Sequence, residues 1–155
     1  MTEATTTLLF DHDKFFSGGN HWQAGLYQLV EPLTLEQALW KPSSERHSVW
    51  DVLLHINFWK QYTIAYLKGT EKPNADSGNW SAPPESATNS DWQKELDRTK
   101  QIQEELKSVI SGMGEKILDT DERSANYIRQ IICHDAYHAG QIGLLRVMQG
   151  LKPIE

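Results

Sequence analysis

Between residues 131 and 145 the apolar positions recur at helical spacing, and two places on that stripe are histidines. Ile131, His134, His138, Ile142 and Leu145 follow one another at intervals of three and four. At about 100° per residue they share one narrow sector of a helix. Such a stripe commits the segment to a long helix with one face in a core. It also puts two imidazoles on the buried face, where their ring nitrogens need partners. A divalent metal answers that need economically, because neutral imidazole is a metal ligand. Two ligands do not make a tight site, so a third is expected from elsewhere in the chain.

Of the six histidines, His55 is the best placed to supply it. Val52, His55, Ile56, Trp59 and Tyr62 again recur at spacings of three and four, which puts His55 on the inward face of a second helix. An ion shared by His55, His134 and His138 would tie two separate helices together and leave coordination positions open to water or substrate. Against this stands the ordinary reading of a histidine on an apolar face as a satisfied core residue. His47 precedes a helix start and is expected to be exposed. His12 and His21 lie near the first helix, and no spacing argues for them as ligands.

The rest of the chain also reads as helix, with no strand-like alternation. A first helix is expected from Asp11 to Val30, with Phe15, Trp22, Leu26 and Leu29 inward and Gly18-Gly19 marking a bend or a later start. Thr34-Leu-Glu-Gln37 has capping-box form and suggests a short helix to Trp40. The second long helix starts at an N-cap Ser48 supported by Asp51 and ends at Lys68-Gly69. A third begins at Ser90-Asp-Trp-Gln93, carries Trp92, Leu96, Thr99, Ile102, Leu106, Val109 and Ile110 inward, and stops at Gly112 or Gly114. A fourth opens between Asp121 and Ser124 and ends near Gly150. Residues 70–89 form the one long irregular segment, of a length usually tied to function. They are long enough to run the length of the molecule and make helices two and three parallel neighbours. The predicted fold is therefore all-α, a four-helix bundle in up-down-down-up order with a long crossover. Trp80 on that crossover is placed to cover one end of the bundle, and an anchoring contact is the simpler reading than a pocket lid.

Length and charge narrow the function classes. The 155 residues suit one domain, 1–155, with a core of its own. Against 21 acidic residues stand 15 Lys and Arg, a net charge of −6 with no basic block, which argues against nucleic acid as a partner. No apolar run approaches the roughly 20 residues of a membrane span. The N-terminus lacks the basic start of a secretory signal, and the lone Cys133 suits a reducing compartment, so a cytoplasmic protein is expected. Cys133 itself is read as a buried, inert thiol, and the six tryptophans as core or interface filling.

Two motifs together resemble a known family. The run His134-x3-His138-x-Gly140-Gln141-Ile142, followed by Leu145-Arg146 and Gly150, is similar to the last helix of the DinB-like (YfiT-like) superfamily. Trp40-Lys41-Pro42 with Ser48-Val-Trp-Asp-Val-Leu-Leu-His55-Ile56 resembles its second-helix motif, and with the spacing between them the match covers most of the chain. The resemblance implies a four-helix bundle holding one metal on His55, His134 and His138. It also implies zinc, nickel or an iron-like divalent ion, a homodimer, and in some members transfer or isomerisation with a low-molecular-weight thiol.

Three imidazoles with open positions suit a catalytic ion rather than a closed structural one, and imidazole alone does not choose the metal. Two chemistries for a small-molecule substrate follow: hydrolysis by activated water, or attack by a thiol ionised at the metal. Hydrolysis also wants a carboxylate base. Asp135 gives His-Asp-x-x-His, but aspartate is shorter than the glutamate of zinc peptidases, and it can equally support the imidazoles or pair with a neighbouring helix. Asn57, Tyr62 and Gln141 are further polar residues near the histidine layers. Thiol transfer needs no protein base and is favoured for that reason. The competing readings are a non-catalytic metalloprotein whose ion clamps two helices, a helical interaction module, and a metal-free protein with three buried histidines.

Overall fold

The computed structural model describes residues 3–19, 22–113 and 121–154. In chain order its helices are α1 (Glu3–Ser17), α2 (Leu26–Val30), α3 (Leu35–Leu39), α4 (Val49–Lys68), α5 (Ala75–Gly78), α6 (Asn89–Gly112) and α7 (Glu122–Met148). No strand occurs among the described residues. None of these helices is long and apolar enough to cross a membrane.

Local chemistry sets the helix starts. Ser48 Oγ accepts the Asp51 amide at 3.1 Å, and Asp51 Oδ2 accepts the Ser48 amide at 2.8 Å, closing a reciprocal cap at α4. Gly69, at φ 67, ends that helix. Asp121 caps α7 by accepting the Ser124 amide at 3.1 Å. For α6 the cap lies two residues earlier than Ser90: Thr88 is the N-cap and Asp91 closes the box. The Asp91 carboxylate accepts from both the Thr88 amide and hydroxyl, and its charge suits the positive helix end better than a neutral Gln93. Helix α6 runs to Gly112; Gly114 lies outside the described residues.

The first helix departs most from expectation. A single helix over 11–30 is replaced by α1, which starts earlier, and the short α2. The break is at Gly18, whose φ of 92 is open to glycine and strained for other residues. Trp22 beyond it is 93% exposed, not inward, whereas Phe16 is buried and Phe15 only half-buried. Residues 70–89 are not wholly irregular either, because the Asn74 side chain accepts the Asp76 amide and starts the one-turn α5.

Side-chain pairs fix how the long helices lie. From α4 to α6, Trp50 meets Trp92, Asn57 meets Thr99 and Lys60 meets Gln103, so both run the same way. From α4 to α7, Tyr66 meets Tyr127, Lys60 meets Asp135 and His55 meets His138, so these two are antiparallel. The first part of the chain runs against α6, with His12 at Gln103 and the Leu33 carbonyl at Trp92 Nε1.

The core is divided. One apolar cluster includes Leu26, Leu53, Ile56, Leu96, Ala139 and Ile142. The other is built from Ile64, Ile102, Leu106, Ile110, Ile128, Ile131 and Ile132. Along α4, the buried Asn57, Lys60 and Thr63 fall in sequence between the two clusters, and along α7 Asp135 and His138 do the same. A polar layer therefore crosses the middle of the molecule, and the histidines belong to it.

Candidate metal centre

His55 on α4 and His134 and His138 on α7 come together, with one ligand nitrogen from each lying within 4.8 Å of the others. The i,i+4 spacing brings the two α7 rings edge to face with centroids 4.4 Å apart, and the antiparallel packing of α4 brings the third ring 4.8 Å from His138. His55 Nε2 and His134 Nε2 approach to 3.1 Å. Two imidazole nitrogens on a tetrahedral zinc, each about 2.0–2.1 Å from it, lie roughly 3.3 Å apart. The observed separation is close to that edge.

The far nitrogens settle two of the tautomers. His55 Nδ1 lies 2.8 Å from the Asn79 carbonyl and His138 Nδ1 lies 2.8 Å from Gln141 Oε1. Both acceptors call for an N–H at Nδ1, which leaves Nε2 as the lone pair on each ring. His134 Nδ1 is buried without a partner. At 3.1 Å, a proton or a cation has to lie between the His55 and His134 nitrogens.

Electrostatics keep the rings neutral. Burial pushes His134 down to about 3, helped by the charges of His138, His55 and Lys60. Burial lowers His55 as well, against the Asn79 carbonyl that favours its protonated form. His138 is likewise lowered by burial, with Gln141 opposing. Neutral, tautomer-fixed imidazoles are the donor set that a borderline divalent ion takes. The residues present fit such an ion, and His55, His134 and His138 are the three that would hold it.

The remaining polar residues divide between site and scaffold. Gln141 belongs to the site through His138. Asn57 does not: its amide donates to Glu95 and Thr99 on α6. Tyr62 packs with Phe58 and Trp59 rather than with the histidines. Asp135, the residue of His-Asp-x-x-His, is fully buried and pairs with Lys60 Nζ at 2.8 Å. Burial pulls Lys60 down and Asp135 up, and each holds the other against that pull. Lys60 also donates to Gln103 Oε1, whose amide donates to a fully buried His12 at 3.2 Å. His12 is therefore scaffold, and His21 lies outside the described residues. Cys133 is exposed instead of buried, because it sits about 100° round the helix from His134.

The long loop contributes more than an anchor. Gly78 packs so closely that a Cβ there would lie 2.5 Å from the Phe58 ring. That approach sets Asn79 over α4, where its side chain accepts from Trp59 Nε1 and its carbonyl faces His55. Trp80 then stacks on His55 at 3.9 Å, and the exposed His47 stacks on Trp80 at the same distance. This His47–Trp80–His55 stack was not apparent from the sequence, and for Asp135, expected to pair with a neighbouring helix or support the imidazoles, the partner Lys60 was not named. For Lys60 a signal exists: it stands four residues after Ile56, where the apolar stripe calls for a core residue.

Comparison with curated proteins and comparison with solved structures each returned no match. A family model described as the DinB superfamily matches residues 21–142, a stretch that holds all three clustered histidines. The chain belongs to the DinB superfamily.

Proposed function

We propose that the protein is a metal-dependent enzyme acting on a small molecule, with one divalent ion, zinc, nickel or iron, held by His55, His134 and His138. The observation that carries this reading is the pair of oriented rings, His55 on the Asn79 carbonyl and His138 on Gln141, that form one cluster with His134. Such an ion supplies Lewis acidity, which favours the anionic form of a thiol or of water near neutral pH.

Between the two chemistries, transfer to or from a low-molecular-weight thiol is the better supported. Among the described residues no carboxylate joins the histidine cluster, and Asp135 is committed to Lys60. A hydrolase would need a base from elsewhere. The alternative of an ion that only clamps α4 to α7 is less well motivated, because Lys60 and Asp135 already join those helices.

The same reading takes the chain as one domain, an up-down-down-up four-helix bundle with 70–89 as its crossover. It includes a cytoplasmic location, a homodimer, and no nucleic-acid or membrane partner. The acidic balance supports the exclusion of nucleic acid.

Elemental analysis of the purified protein beside His55→Ala and His138→Ala is the direct test. About one divalent ion per chain, lost in both variants, is expected. A wild type that takes up neither zinc nor nickel would sink the reading. Titrating the cobalt-loaded protein with cysteine then separates the chemistries: a changed visible spectrum supports thiol transfer, and an unchanged one counts against it.

A further inference from the structure

Beside the histidine cluster lies a cavity of about 200 Å³ between α4 and α7, lined by Trp59, Thr63, Tyr127, Gln130, Ile131 and His134. Its walls are largely apolar and held in place. Trp59 is fixed through its indole N–H on Asn79 Oδ1, and Tyr127 stacks on Tyr66 at 4.0 Å. The Thr63 hydroxyl donates to the Trp59 carbonyl at 2.8 Å, so it offers no proton to a ligand. None of the other five lining residues, Trp59, Thr63, Tyr127, Gln130 and Ile131, carries a formal charge. The exposed Gln130 is the one amide among them. His134, whose Nδ1 is the only far nitrogen of the three imidazoles without a partner, joins the cavity to the cluster.

Size and lining together specify an occupant. An apolar cavity of about 150 Å³ is enough for benzene. This one therefore holds a single six-membered ring or a short branched chain, with room for one small substituent. The cavity is open to solvent on one side, and a charged group placed against its walls would lose part of its hydration without an opposite charge to replace it. We propose that this cavity is the subsite for an uncharged, ring-sized apolar group of the substrate, bearing one neutral hydrogen-bonding atom for Gln130. The assignment rests on the metal-site reading only in that the bound group is presented to His134. It makes the enzyme selective for small neutral hydrophobic compounds over anions and cations of the same shape.

The test compares three probes of one size, benzyl alcohol, benzoate and benzylamine, binding to the whole protein and to Gln130→Trp. Gln130 is exposed on a helix, so a larger side chain there narrows the cavity without entering the core. A second variant, Gln101→Trp, puts the same side chain at an exposed position of α6 outside the cavity lining. Binding is followed by ligand-observed NMR, and metal content is measured on the same samples. Benzyl alcohol is expected to bind at least about tenfold more tightly than either charged probe. Gln130→Trp should weaken it by about tenfold or more and Gln101→Trp should leave it within about twofold. Equal binding of all three probes, or binding untouched by Gln130→Trp, overturns the subsite. The two readings fail separately. Selective benzyl alcohol binding to a chain that takes up no metal upholds the cavity and sinks the metal site. Absent binding to a chain that holds one ion per molecule sinks the cavity alone.

Discussion

Lys60 Nζ lies 2.8 Å from Asp135 Oδ2 with neither side chain exposed to solvent, so α4 and α7 are joined by an ion pair in the middle of the core. Removing one member leaves the other charge buried and unpaired, which costs about 3–5 kcal/mol. Lys60→Met is expected to lose that much in urea unfolding. The double variant Lys60→Met/Asp135→Leu should recover most of it, because an apolar pair needs no hydration to be replaced. A loss below about 1 kcal/mol in the single variant would show that water reaches the pair.

Gln141 acts on the site through one bond, its Oε1 at 2.8 Å from His138 Nδ1. Partners of this kind typically carry about 10–100-fold in metal affinity. Gln141→Leu, which removes the acceptor, is expected to weaken zinc binding by that order, measured by competition with a chelator. Gln141→Glu keeps an acceptor and should bind zinc at least as tightly as the wild type. Equal affinity in the leucine variant would mean that packing alone orients His138.

What was legible in the sequence was local. The α4 and α7 starts follow from side chains three residues apart, and the His134/His138 pair from one helical turn. The α6 start was placed two residues late, at the Ser90–Gln93 pattern, because the Thr88–Asp91 box overlaps it and the Asp91 charge favours the earlier cap. The bend at Gly18-Gly19 was legible from the glycine pair, but not that it ends α1 outright, which follows from the positive φ at Gly18. Across helices the sequence was weaker. His55 could be placed on an inward face, but Asn57, one position further round from Ile56, turns to α6 instead of the site. The loop's length and Trp80 pointed to a role for it, but the part played by Asn79 was hidden, because a backbone carbonyl has no side-chain signature.

Trp80 covers one face of His55 and is itself covered by His47. Aromatic pairs of this kind are worth about 0.5–1.5 kcal/mol. Trp80→Ala is expected to cost little more than that in stability, yet to speed extraction of bound zinc by a chelator by about tenfold. Stopped-flow mixing with a colorimetric chelator reads the rate. An unchanged rate would show that ions leave by another face.

His12 sets a pH dependence whose sign follows from its burial. It is fully buried, with Gln103 donating to Nδ1 and Nε2 left without a partner. Burial, then the charges of Lys60 and Lys107, brings its pKa from 6.5 down to about 3. Between those values the unfolded chain binds a proton that the folded chain refuses, so stability rises with pH across that window. The contribution is complete above about pH 6.5 and is lost as pH falls towards 3, at roughly 1.4 kcal/mol per pH unit. Other groups titrate in the same range, His134 among them, and the difference from a variant isolates His12. His12→Gln retains an acceptor for Gln103 and cannot take up the proton. Its unfolding free energy should fall less steeply than that of the wild type from pH 6.5 to 4, with the curves parallel above pH 7. Parallel curves throughout would mean that the folded protein accepts the proton, which requires water beside Nε2.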